Sequence, residues 1–168
     1  MEREQKIWKG ISSQWVNLGL YLMCATLNVI IISVIIIFKN SETILLAKLD
    51  YAVILAGLGI STILTLWQYY DTRVNIFDIS SQRILEHKGI FSRITLELEL
   101  YRVKDIIHEQ PFLLRLLGLS NIVIYSSDLS TPQLKIKGIK DGVILKEKIR
   151  QAVEQRRDEK GIREIDVN

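Results

Sequence analysis

Two long stretches without a charged side chain constrain this sequence more than any other feature. Nothing charged occurs from Gly10 to Phe38, where Trp15–Phe38 reads WVNLGLYLMCATLNVIIISVIIIF, and nothing from Tyr51 to Tyr70, YAVILAGLGISTILTLWQYY. A bilayer core takes about 20 apolar residues per helix, and backbone polar groups inside it must be satisfied within the segment. Both runs are long enough, so the sequence predicts a membrane α-helical hairpin with spans at about 15–38 and 51–70. Trp8 and Trp15 flank the first span, Tyr51 opens the second, and Trp67, Tyr69 and Tyr70 close it. Amphipathic rings of this kind favour the headgroup level. The first apolar run is too long for a cleaved leader, and FKNSE after it offers no small-residue cleavage site.

Orientation follows from the cations. Arg3, Lys6 and Lys9 precede the first span, while Arg73, Arg83 and Lys88 follow the second. The connecting stretch KNSETILLAKLD has only Lys39 and Lys48. The positive-inside rule then places both termini in the cytoplasm. Cys24 lies inside the first span as the chain's one cysteine, so disulfide chemistry is not expected. The expected organisation is a cytoplasmic N-terminal tail over 1–14, the hairpin over 15–70, a cytoplasmic domain over 71–157 and a C-terminal tail over 158–168.

From Asp71 onward the chain is polar, with 17 Lys and Arg against 15 Asp and Glu. That balance argues against a nucleic-acid footprint. TRVNIFDI, Thr72 to Ile79, is rich in β-branched and aromatic residues and predicts a strand. In FSRITLELEL, Ile94, Leu96, Leu98 and Leu100 alternate with polar residues, a period of two that predicts one buried and one wet face. NIVIYSS, 121–127, and QLKIKGI, 133–139, predict further strands across the turn-rich SDLSTP. The chain then turns helical. Asp141 suits an N-cap, Leu145, Ile149, Ala152 and Val153 make one apolar stripe, and Gly161 suits a stop. Several antiparallel strands followed by one amphipathic helix predict a mainly-β barrel or curved sheet capped by a C-terminal α-helix.

HEQPFLLRLLG, 108–118, is the stretch that bears on chemistry. It opens like H-E-x-x-H, but Phe112 stands where a second histidine ligand belongs. His87 is the one other histidine, whereas a catalytic zinc normally takes three protein ligands. Neither a G-x-S-x-G turn nor a phosphate-cradling glycine loop occurs. Glu97 and Glu99 on one strand face read as a solvated face rather than an acid/base pair. An enzyme, a metal and a cofactor are therefore not expected. Pro111 and Gly118 instead bracket a helix of about two turns, with Arg115 its one charge among Phe112, Leu113, Leu114, Leu116 and Leu117. Such a helix must bury most of its sides. The leading expectation is that its leucines cap the barrel, and the alternative is that part of it rests on the bilayer with Arg115 reaching phosphates.

Several of these elements, in this order, resemble the bacterial PH-like (pleckstrin-homology-like), membrane-flanked domain family. Gly89, Ser92 and Arg93 match its glycine-containing turn, Val103, Ile106 and Gln110 its following strand, and Leu116, Leu117 and Gly118 its leucine-rich helix. The resemblance spans about Tyr69 to Val153. It implies a PH-like barrel closed by the C-terminal helix, held at the cytoplasmic face of a bacterial inner membrane. It also implies a companion of the same family or a homo-oligomer. It carries no common activity, so function has to be argued from sites.

Two functional readings follow. The first is a non-enzymatic, membrane-anchored scaffold or interaction subunit of an envelope complex. Gly57, Ser61 and Thr65 recur every four residues on the second span, a small-residue stripe that lets helices approach. This stripe is expected to pack on the chain's own first span near Gly19, Ala25 or Asn28, with Asn28 hydrogen-bonding across the hairpin. The second is an anionic-lipid headgroup module, with Arg73, Arg83, Lys88, Arg93 and Arg115 as contacts. The bilayer is the expected partner in both; nucleic acid and a small-molecule ligand are not. Transport is disfavoured, because the two spans offer neither a charge nor a broken helix.

Overall fold

The computed structural model describes residues 4–38 and 44–161. The parts of the expected tails and connecting loop at residues 1–3, 39–43 and 162–168 lie outside that range. The described residues form two compact units: one runs to Val16 and resumes at Asp71, and the other is Asn17–Tyr70.

The Asn17–Tyr70 unit is helical. Helix α1 is Leu18–Phe38, and α2, Ile44–Val74, starts well before the predicted second span and runs past it. Apolar side chains such as Leu22, Val29, Ile30, Leu55 and Ile63 stand exposed. Some of the polar ones are bonded between the helices. The Ser61 hydroxyl, in a side chain only 2% exposed, donates to Asn28 Oδ1 at 2.9 Å. Gln68 Nε2 donates to Asn17 Oδ1 at 3.1 Å, and Thr65 Oγ1 donates to the Ser61 carbonyl. Gly57 faces Ile31, whose Cδ1 lies 2.7 Å from where a Cβ would sit. Polar groups bonded to each other in an otherwise apolar pair of helices avoid the desolvation penalty that an unpaired group would carry.

The other unit is mainly β, two antiparallel sheets and a C-terminal helix, as the sequence predicts. The first sheet has the order β1-β2-β3-β4: β1 Lys6–Ile11, β2 Ile76–Ser80, β3 Arg83–Lys88 and β4 Ile94–Glu99. The second is β5-β6-β7: β5 Val103–Glu109, β6 Leu119–Ser126 and β7 Gln133–Lys140. A short helix α3, Phe112–Leu116, joins β5 to β6, and α4, Gly142–Lys160, follows β7. Phe77, Ile79, Ile84, Leu98, Ile122, Ile124 and Ile136 meet Leu145, Ile149 and Val153 of α4 in one core. The four-residue apolar stripe of the sequence is therefore the buried face of α4, and Gly161 ends the helix at φ +66°, in the left-handed region glycine favours.

Several expectations are corrected. Lys6–Ile11, expected as tail, is an edge strand paired with β2; its adjacent residues Ile7 and Trp8 both pack against the core, so no apolar–polar period marks it in the sequence. The strand expected from Thr72 starts only at Ile76, because α2 carries its backbone ladder on to an Asn75 N–H bond with the Asp71 carbonyl. Along β4 the alternation is buried only at one end: Leu98 is enclosed, but Ile94 is exposed, beyond the reach of the core. Asp141 precedes α4 without capping it. Its backbone is left-handed, φ 53°, and its side chain makes no bond to the first turn, whereas a capping side chain works from an extended backbone.

The largest correction concerns α3. It spans five residues rather than two turns, and of its leucine cluster only Leu114 is buried. Phe112 is 74% and Leu116 69% exposed, with Leu113 and Leu117 also facing out. One turn of helix can press only one side onto β6, so the other apolar side chains stay uncovered among the described residues.

Candidate anionic-ligand cleft

The strand registers define which loops share an end of the β unit. Ile11 pairs with Ile76, Ile76 with His87, and Lys88 with Ile94. The β3–β4 turn, the start of β2 and the last residues of α2 therefore lie together. The turn is held by Gly89 at φ +109°, where an added Cβ would fall 1.9 Å from the Ser92 carbonyl oxygen. Only glycine fits there, and the turn it permits brings Arg93 back beside Lys88.

Between these elements lies a cavity of about 440 Å³, lined by Arg73, Val74, Ile76, His87, Lys88, Arg93 and Thr95. Three of the five cations singled out in the sequence line this one cleft. His87 Nδ1 lies 2.9 Å from Thr95 Oγ1 across the hairpin, which fixes the ring against the wall. Lys88 reaches Glu86 only at 3.8 Å, so its ammonium keeps donors for another anion. Glu86 in turn accepts from Asn75 Nδ2 at 3.3 Å. Three cations with a hydroxyl and an imidazole around one apolar-floored hollow can hold a phosphate or another small anion, because Arg and Lys both donate to oxyanions.

The other two cations sit elsewhere. Arg83 is at the opposite end of β3, bonded through Nε and Nη2 to Glu4, both at 3.0 Å, and through Nη1 to Glu97 at 2.9 Å. The two carboxylates hold its guanidinium protonated above its usual range, and Arg83 with Ser80 pulls the Glu4 carboxyl below the usual carboxylate range. Arg115 stands exposed on α3. The four helix-packing residues, Asn28, Gly57, Ser61 and Thr65, lie in the helical unit as described above. Sequence reasoning missed His87 and Thr95. Their signal is register alone, since they face one another only once β3 and β4 are paired.

A second hollow runs between β5 and α4, lined by Lys104, Asp105, Lys146, Arg150, Glu154 and Arg157 among others. Its cations are largely engaged: Arg150 bonds Glu154, and Arg157 donates to the Val103 carbonyl. Among the described residues, no three His, Cys, Asp or Glu side chains are placed to share a metal ion.

A family profile described as bacterial PH domain matches residues 18–153, from the first residue of α1 into the apolar face of α4. The chain belongs to the bacterial PH domain family. Among solved structures, the Vps36 N-terminal PH domain matches with a TM-score of 0.39 and 21% identity, over 51% of this chain and 65% of that one. No curated protein matches this chain. PH domains are in general non-catalytic modules that bind lipids or proteins, and the family match points to a module of that class. Strand β1 lies outside the matched span, at the edge of the first sheet.

Proposed function

We propose that this bacterial PH domain protein is a membrane-anchored, non-enzymatic module whose Arg73–Lys88–Arg93 cleft binds the anionic headgroup of a lipid at the cytoplasmic face of the inner membrane. One observation carries the reading: three cations, one from the end of α2 and two from either side of the β3–β4 turn, line a single cavity together with His87 and Thr95. Anchoring rests on α1, where Gln14–Val34 is long and apolar enough to cross a bilayer and little of it is buried. The exposed apolar face of α2 supports a second crossing. The cleft includes the last residues of α2, Arg73 and Val74, which ties it to the end of the second expected span.

The test is retention of lipid by the full chain in nanodiscs of neutral or mixed neutral and anionic composition. Preferential retention of anionic lipid, lost in Lys88→Ala/Arg93→Ala, supports the reading; equal retention of both lipids by the wild type sinks it. A scaffold role towards a companion of the same family is the second reading. What favours it is the apolar surface that α3 leaves uncovered.

A further inference from the structure

The registers place more than the cleft at one end of the β unit. Chain leaving β1 passes through Ser13, whose N–H bonds the Gly138 carbonyl at 3.2 Å, and Val16 packs over the same glycine. Gly138 lies near the end of β7, and the β6 start pairs there, Leu119 with Lys140. Glu109 at the end of β5 pairs with Asn121. So α3, which joins β5 to β6, and the first turn of α4 stand at the end from which the chain departs at Val16 and to which it returns at Asp71.

That end is apolar. Phe112, Leu113, Leu116 and Leu117 of the α3 segment are exposed, as are Val143 and Ile144 in the first turn of α4. The two groups adjoin, because Gly142 sits against Ser120 and the His108 ring, the residues that flank the α3 segment. Phe91, 88% exposed at the tip of the β3–β4 turn, and Ile94 belong to the same end. Exposed cations stand among them, Arg115, Lys140 and Arg93, against Asp71 and Asp141. A soluble surface seldom exposes this many large apolar side chains together. Apolar side chains rimmed by cations are the composition that seats in the headgroup and upper acyl region of an anionic leaflet.

We infer that the α3 segment with the first turn of α4 is a bilayer-inserting edge, which seats this unit in the leaflet beside its headgroup cleft. The inference rests on the anchored reading above. The occupant is lipid rather than protein because the patch shares its end with both chain connections to the apolar helices and with the basic cleft.

The experiment uses the full chain in liposomes containing anionic lipid, with single nitroxide labels at Phe112→Cys or Leu116→Cys in a Cys24→Ala background. Both positions are exposed, so neither substitution removes a core contact. Expected is preferential collision with oxygen over a water-soluble nickel chelate at 112 and 116. A label at Leu129→Cys, 98% exposed at the opposite end of the sheet, should show the reverse. A label at Ile30→Cys in α1 reports anchoring by itself. Aqueous behaviour at both 112 and 116 with a lipid signal at 30 overturns the edge and leaves the anchor standing. Aqueous behaviour at 30 as well overturns both. Labels at 112 and 116 that are immobilised and shielded from both reagents would mean a protein cover, and that too overturns the inference.

Discussion

Arg83 and Glu4 form a two-point ion pair, Nε to Oε1 and Nη2 to Oε2, both at 3.0 Å, across 79 residues of sequence. With the Gln5 N–H on Ser81 Oγ and the Ser81 N–H on the Gln5 carbonyl, it fastens β1 to the hairpin of β2 and β3. A cation that reads in the sequence as a membrane contact is thus a clasp for an edge strand.

The clasp has a defined pH dependence. Glu4 is held below its ordinary carboxylate range, chiefly by the Arg83 hydrogen bonds. A carboxyl depressed by folding adds stability above its unfolded pKa and loses it as pH falls through the folded value. The protection of the Lys6–Ile11 amides against exchange, relative to their intrinsic rate at each pH, should therefore fall on acidification to below about pH 4, near the unfolded Glu value. In Glu4→Gln it should already be lower at neutral pH, and the gap between the two proteins should close in acid. Because the pair is exposed, the global melting temperature should change little.

Gly89 couples backbone geometry to ligand binding. Any side chain there meets both a φ of +109° and the Ser92 carbonyl. Gly89→Ala should cost about 1–3 kcal/mol, the range for a residue forced into such backbone. It should also weaken anionic-lipid retention although no charge has changed. Calorimetry together with the nanodisc assay checks both effects.

The helical unit offers a graded test of packing. At Gly57 the atom that a new Cβ would meet is the far end of the flexible Ile31 side chain. Gly57→Ala should be tolerated by rotation of Ile31, whereas Gly57→Leu should separate the helices. Ser61→Ala removes a hydrogen bond to Asn28 that should be worth roughly 0.6 kcal/mol, the average for such bonds between membrane helices. Thermal denaturation in detergent should rank the variants Gly57→Ala, Ser61→Ala and Gly57→Leu from milder to worse, with Gly57→Leu far below the others.

Much of this architecture is legible in the residues. The charge-free runs mark α1 and most of α2; alternation marks β4; the stretches on either side of the turn-rich SDLSTP mark β6 and β7; and the stripe from Leu145 to Val153 marks α4. What escapes is set by contacts distant in sequence. Lys6–Ile11 becomes a strand only because β2 offers it an edge, and α2 overruns Thr72–Val74 because an existing helix extends more easily than a new strand nucleates. The α3 leucines look like core by composition, since composition cannot reveal that one short turn has a single sheet surface to lean on. The site divides in the same way. Arg73, Lys88 and Arg93 stand out as cations near a span, but His87, Thr95 and the separate fate of Arg83 follow from register.

Salt should discriminate the cleft from a purely apolar attachment. Juxtamembrane cations contribute about 1 kcal/mol each at an anionic surface, roughly five-fold in affinity. Lys88→Ala and Arg93→Ala should each lower the affinity for anionic lipid by about that factor, and Arg83→Ala should leave it unchanged. The wild-type preference should shrink as ionic strength rises, because added salt shortens the screening length.

The central claim, that Arg73, Lys88 and Arg93 together hold an anionic headgroup, meets its most direct test in native mass spectrometry of the full chain released from nanodiscs of mixed neutral and anionic lipid. The wild type should carry anionic lipid out with it, and Lys88→Ala/Arg93→Ala should leave with neutral lipid or none while Arg83→Ala behaves as wild type. Anionic lipid retained equally by wild type and the double variant would contradict the claim.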